Sequence, residues 1–167
     1  FDLHCDTALR MLEEGQPLSD NGFAVSLKKA SAFAQYIQVM ALFTSPRLSD
    51  AAGWLRLKEA VRNLQNDPAV RSGTAGLTAV CPARGSGTSL LLGIEDARVL
   101  DHHPERVEEL YDMGVRIFTP LWKGETCIGG AHDTTAGLTD FGELALRAVF
   151  ALRRQPAIQT FAVGLNI

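Results

Sequence analysis

Residues 89–122 read SLLLGIEDARVLDHHPERVEELYDMGVRIFTPLW. The apolar run Ser89–Ile94 leads straight into Glu95, and a second run, Val115–Leu121, ends at Trp122. Nearly continuous apolar runs of this length belong to strands covered on both faces. Between them, Pro104–Met113 places Val107, Leu110 and Tyr111 on one helical face, and Gly114 closes the helix. Two buried strands joined by a helix make a βαβ unit, which requires the strands to be parallel.

The same alternation extends outward. Upstream, Tyr36–Phe43 (YIQVMALF) is a third buried-strand run. Asp50–Leu64 is an amphipathic helix with Trp54, Leu57, Val61 and Leu64 at helical spacing, and Pro68 lies beyond its end. Phe1–His4 reads as a short strand. Ala8–Glu14 reads as a helix stopped by Gly15 and Pro17, and Ser26–Phe33 as a helical turn capped by Ser26. Val70–Arg84 fits neither period. Downstream, Lys123–Leu138 is a glycine-rich polar loop, and Thr139 caps a helix with Asp140 and Glu143 in its first turn. Four strand signals before residue 122, alternating with helices, predict an α/β fold with a parallel sheet. No glycine-rich phosphate loop follows the first strand, which argues against a dinucleotide-binding fold.

Composition narrows the function classes. The 167 residues are 46% apolar and 21% charged, with a formal net charge of -3, as expected of one globular domain. No basic cluster marks a nucleic-acid surface. No apolar run reaches the roughly 18 to 20 residues of a membrane span. Cys5, Cys81 and Cys127 are an odd number at wide spacing, neither a disulfide framework nor a CxxC metal site. Three reduced thiols and a cytoplasmic location are the expectation. The chain opens on Phe1 inside an apolar segment, so its start is expected to be cut from a longer protein.

Several reactive side chains fall at strand exits. In a (β/α)8 barrel the C-terminal ends of the strands carry the chemistry, and His4, Asp6, Glu95 and Trp122 all lie at or just past such ends. His4 and Asp6 form an HxD pair whose imidazole and carboxylate can reach one cation, a donor mixture that zinc accepts. A solvated strand end is the other reading of that pair. Glu95 leaves a fully apolar strand and must be solvated, paired or metal-bound. With two oxygens it can also bridge two ions. Trp122 is either core or the wall of a substrate pocket. His102 and His103 are read as capping or surface residues, and His132 as a loop histidine beside Asp133.

Taken together, these segments resemble the membrane (renal) dipeptidase family, peptidase family M19, whose members are zinc peptidases on a (β/α)8 barrel. FDLHCDT resembles its first strand with the metal-binding HxD, and LLGIED its strand ending in a metal-bridging glutamate. RVEELYDMGVRIFTPLW resembles the following helix, glycine and strand, and GETCIGGAHDTTAGLTDFG the next loop and helix start. The match runs from about residue 1 to about residue 147. It implies a partial (β/α)8 TIM barrel of about the first four β/α units, of metal-dependent hydrolase type, with residues 1–150 as the N-terminal half. His4 and Asp6 would bind one zinc, and Glu95 would bridge two and act as the catalytic residue. The implied activity is hydrolysis of the peptide bond of a dipeptide by a hydroxide held between the metals. A homodimer is the expectation for the full-length protein.

The sequence departs from that pattern in two places. Many members carry a substrate-contacting histidine at the position of Trp122. A bacterial branch has a Trp-Asn pair there, and in this chain Lys123 stands where that Asn would be. Trp122 is then a substrate-binding residue of altered scope. After the helix that begins LTDFG, the segment RRQPAIQTFAVGLNI carries no histidine, so the family's two remaining zinc histidines and its substrate-binding arginine have no counterpart. Residues 151–167 are therefore expected to be an aberrant or truncated tail, and the isolated chain to bind metal weakly and to be inactive. Two rival readings are another metal-dependent amidohydrolase-type barrel, which usually shows HxH on its first strand, and a non-catalytic half-barrel fragment.

Overall fold

The computed structural model describes residues 1–78, 87–153 and 162–163. Every strand pairing in it is parallel. The strands β1 (Asp2–Cys5), β2 (Gln35–Phe43), β4 (Gly87–Glu95), β5 (Val115–Thr119) and β6 (Ala162–Val163) lie side by side in that order. The short β3 (Ala75–Leu77) pairs with the first half of β4, and β5 pairs with its second half. The helices between them are α1 (Thr7–Glu14), α2 (Leu27–Ala30), α3 (Asp50–Asn66), α4 (Pro68–Arg71), α5 (Arg106–Asp112) and α6 (Asp140–Arg153). This is the α/β architecture with a parallel sheet that the alternating pattern predicts.

Side-chain alternation gives the sheet two faces. Met40, Leu42, Leu90, Leu92, Ile94 and Phe118 point toward the helices. They form the main core with Leu57, Val61 and Leu64 of α3 and Val107 and Leu110 of α5. The opposite face carries a smaller cluster of Ile37, Val39 and Leu91, with Ile117 packed against it. Both faces of β2 and β4 are therefore apolar, and this produces their continuous hydrophobic runs. Gly93 belongs to the second face. A Cβ there would sit 3.0 Å from Val39 Cγ1 and 3.4 Å from Ile117 Cβ.

Local signals set the element ends. Ser49 accepts from Ala52 N and caps α3, and Ser26 accepts from Lys29 N at α2. Gly15 closes α1 in the left-handed region, with its N–H on Met11 O. Thr139 Oγ1 accepts from Gly142 N at 2.9 Å, so it caps α6 as its sequence predicts. Three expectations need trimming. The helical turn expected over 26–33 is helical only over Leu27–Ala30. The strand expected over 115–121 ends at Thr119, because Pro120 has no N–H to donate and its carbonyl accepts from Ala97 N across the β4 exit. The helix expected over 104–113 runs only Arg106–Asp112, preceded by Asp101 and His102 at positive φ. The undecided segment 70–84 holds the end of α4 and all of β3, and its last residues lie outside those described. Of the tail, Arg153 ends α6 and Ala162–Val163 pair with Ile117–Phe118; the other residues of 154–167 lie outside the described set, as does Cys81. Among the described residues Cys5 and Cys127 are free thiols, and no helix is long and apolar enough to cross a membrane.

Candidate metal centre

Parallel pairing puts all strand exits at one edge of the sheet, and the register aligns Phe43 with Glu95 and Glu95 with Thr119. His4 and Asp6 leave β1 at the same edge. His4 Nε2 lies 3.6 Å from Glu95 Oε2 and 3.7 Å from Asp6 Oδ1. One donor atom from each of His4, Asp6 and Glu95 lies within 4.8 Å of the other two. All three sequence-predicted ligands therefore converge, although the strand carrying Glu95 is not a neighbour of β1.

The route by which Asp6 arrives differs from a simple strand alternation. β1 ends at Cys5, and Asp6 occupies the N-cap position of α1. An aspartate there normally accepts a backbone N–H of the first helical turn. Asp6 makes no such side-chain cap, while its backbone carbonyl accepts from Arg10 N. Its carboxylate thus faces His4 instead of the helix.

Glu95 is the most enclosed member, with 15% of its side chain exposed against 50% for His4 and 59% for Asp6. Burial pushes the Glu95 carboxyl above the usual carboxylate range, His4 opposes that rise, and Asp6 and Asp96 add to it. Glu95 and Asp6 face each other with the His4 imidazole between them, and a cation held by the three would favour the charged form of both carboxylates. The spacing also suits zinc. Two ligand atoms each about 2.1 Å from a tetrahedral ion lie about 3.4 Å apart, close to the observed separations. Imidazole with two carboxylates is a donor set that zinc takes.

A cleft of about 420 Å³ is lined in part by these three residues. Its lining also includes the apolar Leu9, Phe43 and Trp122 and the charged Arg10 and Glu13 of α1. Trp122 meets the Phe43 ring edge-on, with centroids 5.3 Å apart, and remains 39% exposed. Trp122 thus lines this cleft and is not a core residue. Arg10 pairs with Glu14 at 2.8 Å and lies over the Phe23 ring, while Glu13 pairs with Arg56.

The remaining histidines stand apart. His103 Nδ1 lies 2.8 Å from Glu105 Oε1, His102 packs on the Phe141 ring, and His132 is exposed in the loop before α6. Among the described residues, His4, Asp6 and Glu95 are the group of this kind that could hold a metal ion. Sequence reasoning missed Phe43, Leu9, Arg10 and Glu13. The signal for Phe43 was present, since it ends a buried strand just as Glu95 does. The α1 residues follow Asp6 by three, four and seven positions and so share its helical face.

No family model matches the chain, and no curated protein sequence matches it. Solved structures do. The dipeptidase AC, a metallopeptidase of family M19, is similar at TM-score 0.71 with 22% identity, over 98% of this chain and 54% of its own. A metallopeptidase from Rhodobacter sphaeroides, liganded with a phosphinate mimic of the dipeptide L-Ala-D-Ala, gives TM-score 0.71 and 18% identity over 96% and 56%. The probable dipeptidase PvdM from Pseudomonas aeruginosa gives 0.63 and 15% over 90% and 48%. The chain spans about half the length of these structures. Its fold is that of the M19 metallo-dipeptidases, and its parallel sheet is part of their TIM barrel.

Proposed function

We propose that this chain carries the first-strand and glutamate ligands of a zinc-dependent dipeptidase, with residues 1–150 forming the first half of its barrel. The observation that carries the reading is the convergence of His4, Asp6 and Glu95 from two non-adjacent strands. The likeness in fold to metallo-dipeptidases supports the same reading.

His4 and Asp6 would hold one zinc, with Glu95 shared between it and a second. Bound zinc would supply a nucleophilic hydroxide at neutral pH and polarise a peptide carbonyl. The chain's own residues do the rest of the work. His4 and Asp6 would hold the ion, and Glu95, seated at the end of β4, would tie it to the sheet. Leu9, Phe43 and Trp122 offer an apolar surface to one side chain of a dipeptide. Arg10 and Glu13, also on the lining, place charges of both signs in the same cleft, which suits a substrate with charged ends.

Zinc calorimetry on the dialysed chain, followed by titration with a phosphinate dipeptide mimic, tests this reading. The expected result is zinc binding that His4→Ala and Glu95→Gln abolish, and mimic binding that requires zinc. Zinc binding unaffected by both substitutions, or none in the parent, would return the three residues to ordinary strand-end roles.

A further inference from the structure

The residue after Glu95 is an aspartate in an unusual situation. Asp96 is fully buried and sits at φ 63°, a conformation that side-chain-bearing residues rarely adopt. Its carboxylate is satisfied from one direction. Arg98 N donates to Oδ1 at 3.1 Å, and Arg98 Nη2 donates to Oδ2 at 2.7 Å. The same Nη2 also donates to the backbone carbonyl of Lys123 at 2.9 Å. Lys123 directly follows Trp122. A second tie runs parallel to the first, from Ala97 N to Pro120 O at 3.1 Å.

We infer that Asp96 and Arg98 are a positioning pair that bolts the exit of β4 to the segment carrying Trp122, and so fixes the distance between the Glu95 side and the Trp122 side of the cleft. The strain at Asp96 fits this role. Glycine would meet the backbone requirement without cost, yet only a carboxylate can hold Arg98 in place over the Lys123 carbonyl. A short turn with positive φ at a buried acid persists where the surroundings over-determine it. The surroundings at Asp96 are the guanidinium, the turn Ala97–Leu100 and the Pro120 carbonyl. Trp122 in turn rests on Phe43 at the end of β2. Three strand exits are thereby set against one another, and the cleft width follows from a salt bridge that itself touches no substrate. The consequence for specificity rests on the reading of this cleft as a dipeptide site; the clamp itself does not.

The test follows Trp122. Emission and acrylamide quenching are recorded for the whole chain and for Asp96→Gly, Arg98→Met and Arg98→Lys, each against its own Trp122→Phe counterpart, so that the Trp54 signal subtracts out. Asp96→Gly keeps the turn, since glycine accepts this φ, and removes only the clamp. The expected result for Asp96→Gly and Arg98→Met is Trp122 emission shifted to longer wavelength, with loss of protection from the quencher. Arg98→Lys, which retains one donor, is expected to shift less. Folded Asp96→Gly and Arg98→Met chains with parental Trp122 emission and quenching would overturn the inference. Zinc titration of the parent separates the two failures. Zinc bound with Trp122 indifferent sinks the clamp alone, and no zinc with Trp122 responsive sinks the metal centre and leaves the clamp standing.

Discussion

His4 and Glu95 belong to strands that never pair, yet His4 Nε2 lies 3.6 Å from Glu95 Oε2 across the end of β2. With neighbouring strands about 4.8 Å apart, β1 and β4 are separated by about 10 Å. The two side chains bridge that gap over the face of β2. Two residues back on the same face the facing pair is Ala41 and Gly93, and Val39 and Ile117 crowd the place a Gly93 side chain would take. The layer beneath the candidate site is therefore closely packed around a residue without a side chain.

Glu95 should cost the metal-free protein stability. Burial raises its pKa, so the folded state binds its proton more tightly than the unfolded state. Stability of the apo chain should then fall as pH rises from the ordinary carboxylate value through the raised one. Glu95→Gln should melt at a higher temperature than the parent at neutral pH without zinc, and at a lower one with saturating zinc. Paired thermal melts with and without the ion check both signs.

His4 should separate binding from folding. Its side chain is half exposed, and substitutions at such positions usually change stability by no more than about 0.5 kcal/mol. His4→Ala should leave the apo melt nearly unchanged. Its zinc affinity should drop by more than the roughly 10- to 100-fold seen when only an outer partner of a ligand is removed. Calorimetry and circular dichroism on the same sample give both numbers.

Acid should loosen the α3–α5 contact through Asp50. The hydrogen bond from Arg106 holds the Asp50 carboxyl below its usual range, and the charge of Arg106 adds to the effect. Arg106 is itself buried, donates to Val99 O at 2.7 Å and lies over the Trp54 ring. A depressed carboxylate contributes fully above its ordinary pKa, and the contribution is lost as pH falls through the folded value. Asp50→Asn should cost about 1–3 kcal/mol at neutral pH, with parent and variant converging in acid. Urea melts across that range measure the convergence.

Gly93 should resist even alanine. The new methyl would press on Val39 Cγ1, and a β-branched neighbour in a packed sheet has little freedom to turn away. Gly93→Ala should lose about 1–3 kcal/mol. Combining it with Val39→Ala should cost less than the two single losses added, because the second change removes the clash. Denaturant titration of the four proteins closes the cycle.

What was legible in the sequence was whatever the sheet made continuous. β2 and β4 stand between two apolar layers, so they print as nearly continuous hydrophobic runs, broken only by single residues such as Gln38, and β5 as a shorter run interrupted by Arg116; the polar residues at their exits stand out against them. His4, Asp6 and Glu95 could be found for that reason. β3 could not, since Ala75–Leu77 is three residues long and contains a glycine. The break between α3 and α4 was marked by Pro68, but the restart was hidden. It depends on Asp67, which caps Ala69 N and also takes Leu18 N at 2.9 Å from 49 positions away. The Asp96–Arg98 pair was equally silent, because two charged residues near a helix normally read as solvated surface. Only the fold reveals that Asp96 is buried.

The all-parallel sheet bears on how the protein comes to exist. Each pairing waits for a crossover to form, so no strand can zip onto its sequence neighbour through a tight hairpin. Such topologies have high contact order and fold slowly. His4 and Glu95 meet only after a loop of about ninety residues has closed. A metal ion taken up there, as proposed, would therefore bind only after β1 has docked, as a latch that slows its reopening and leaves the rate of docking unchanged.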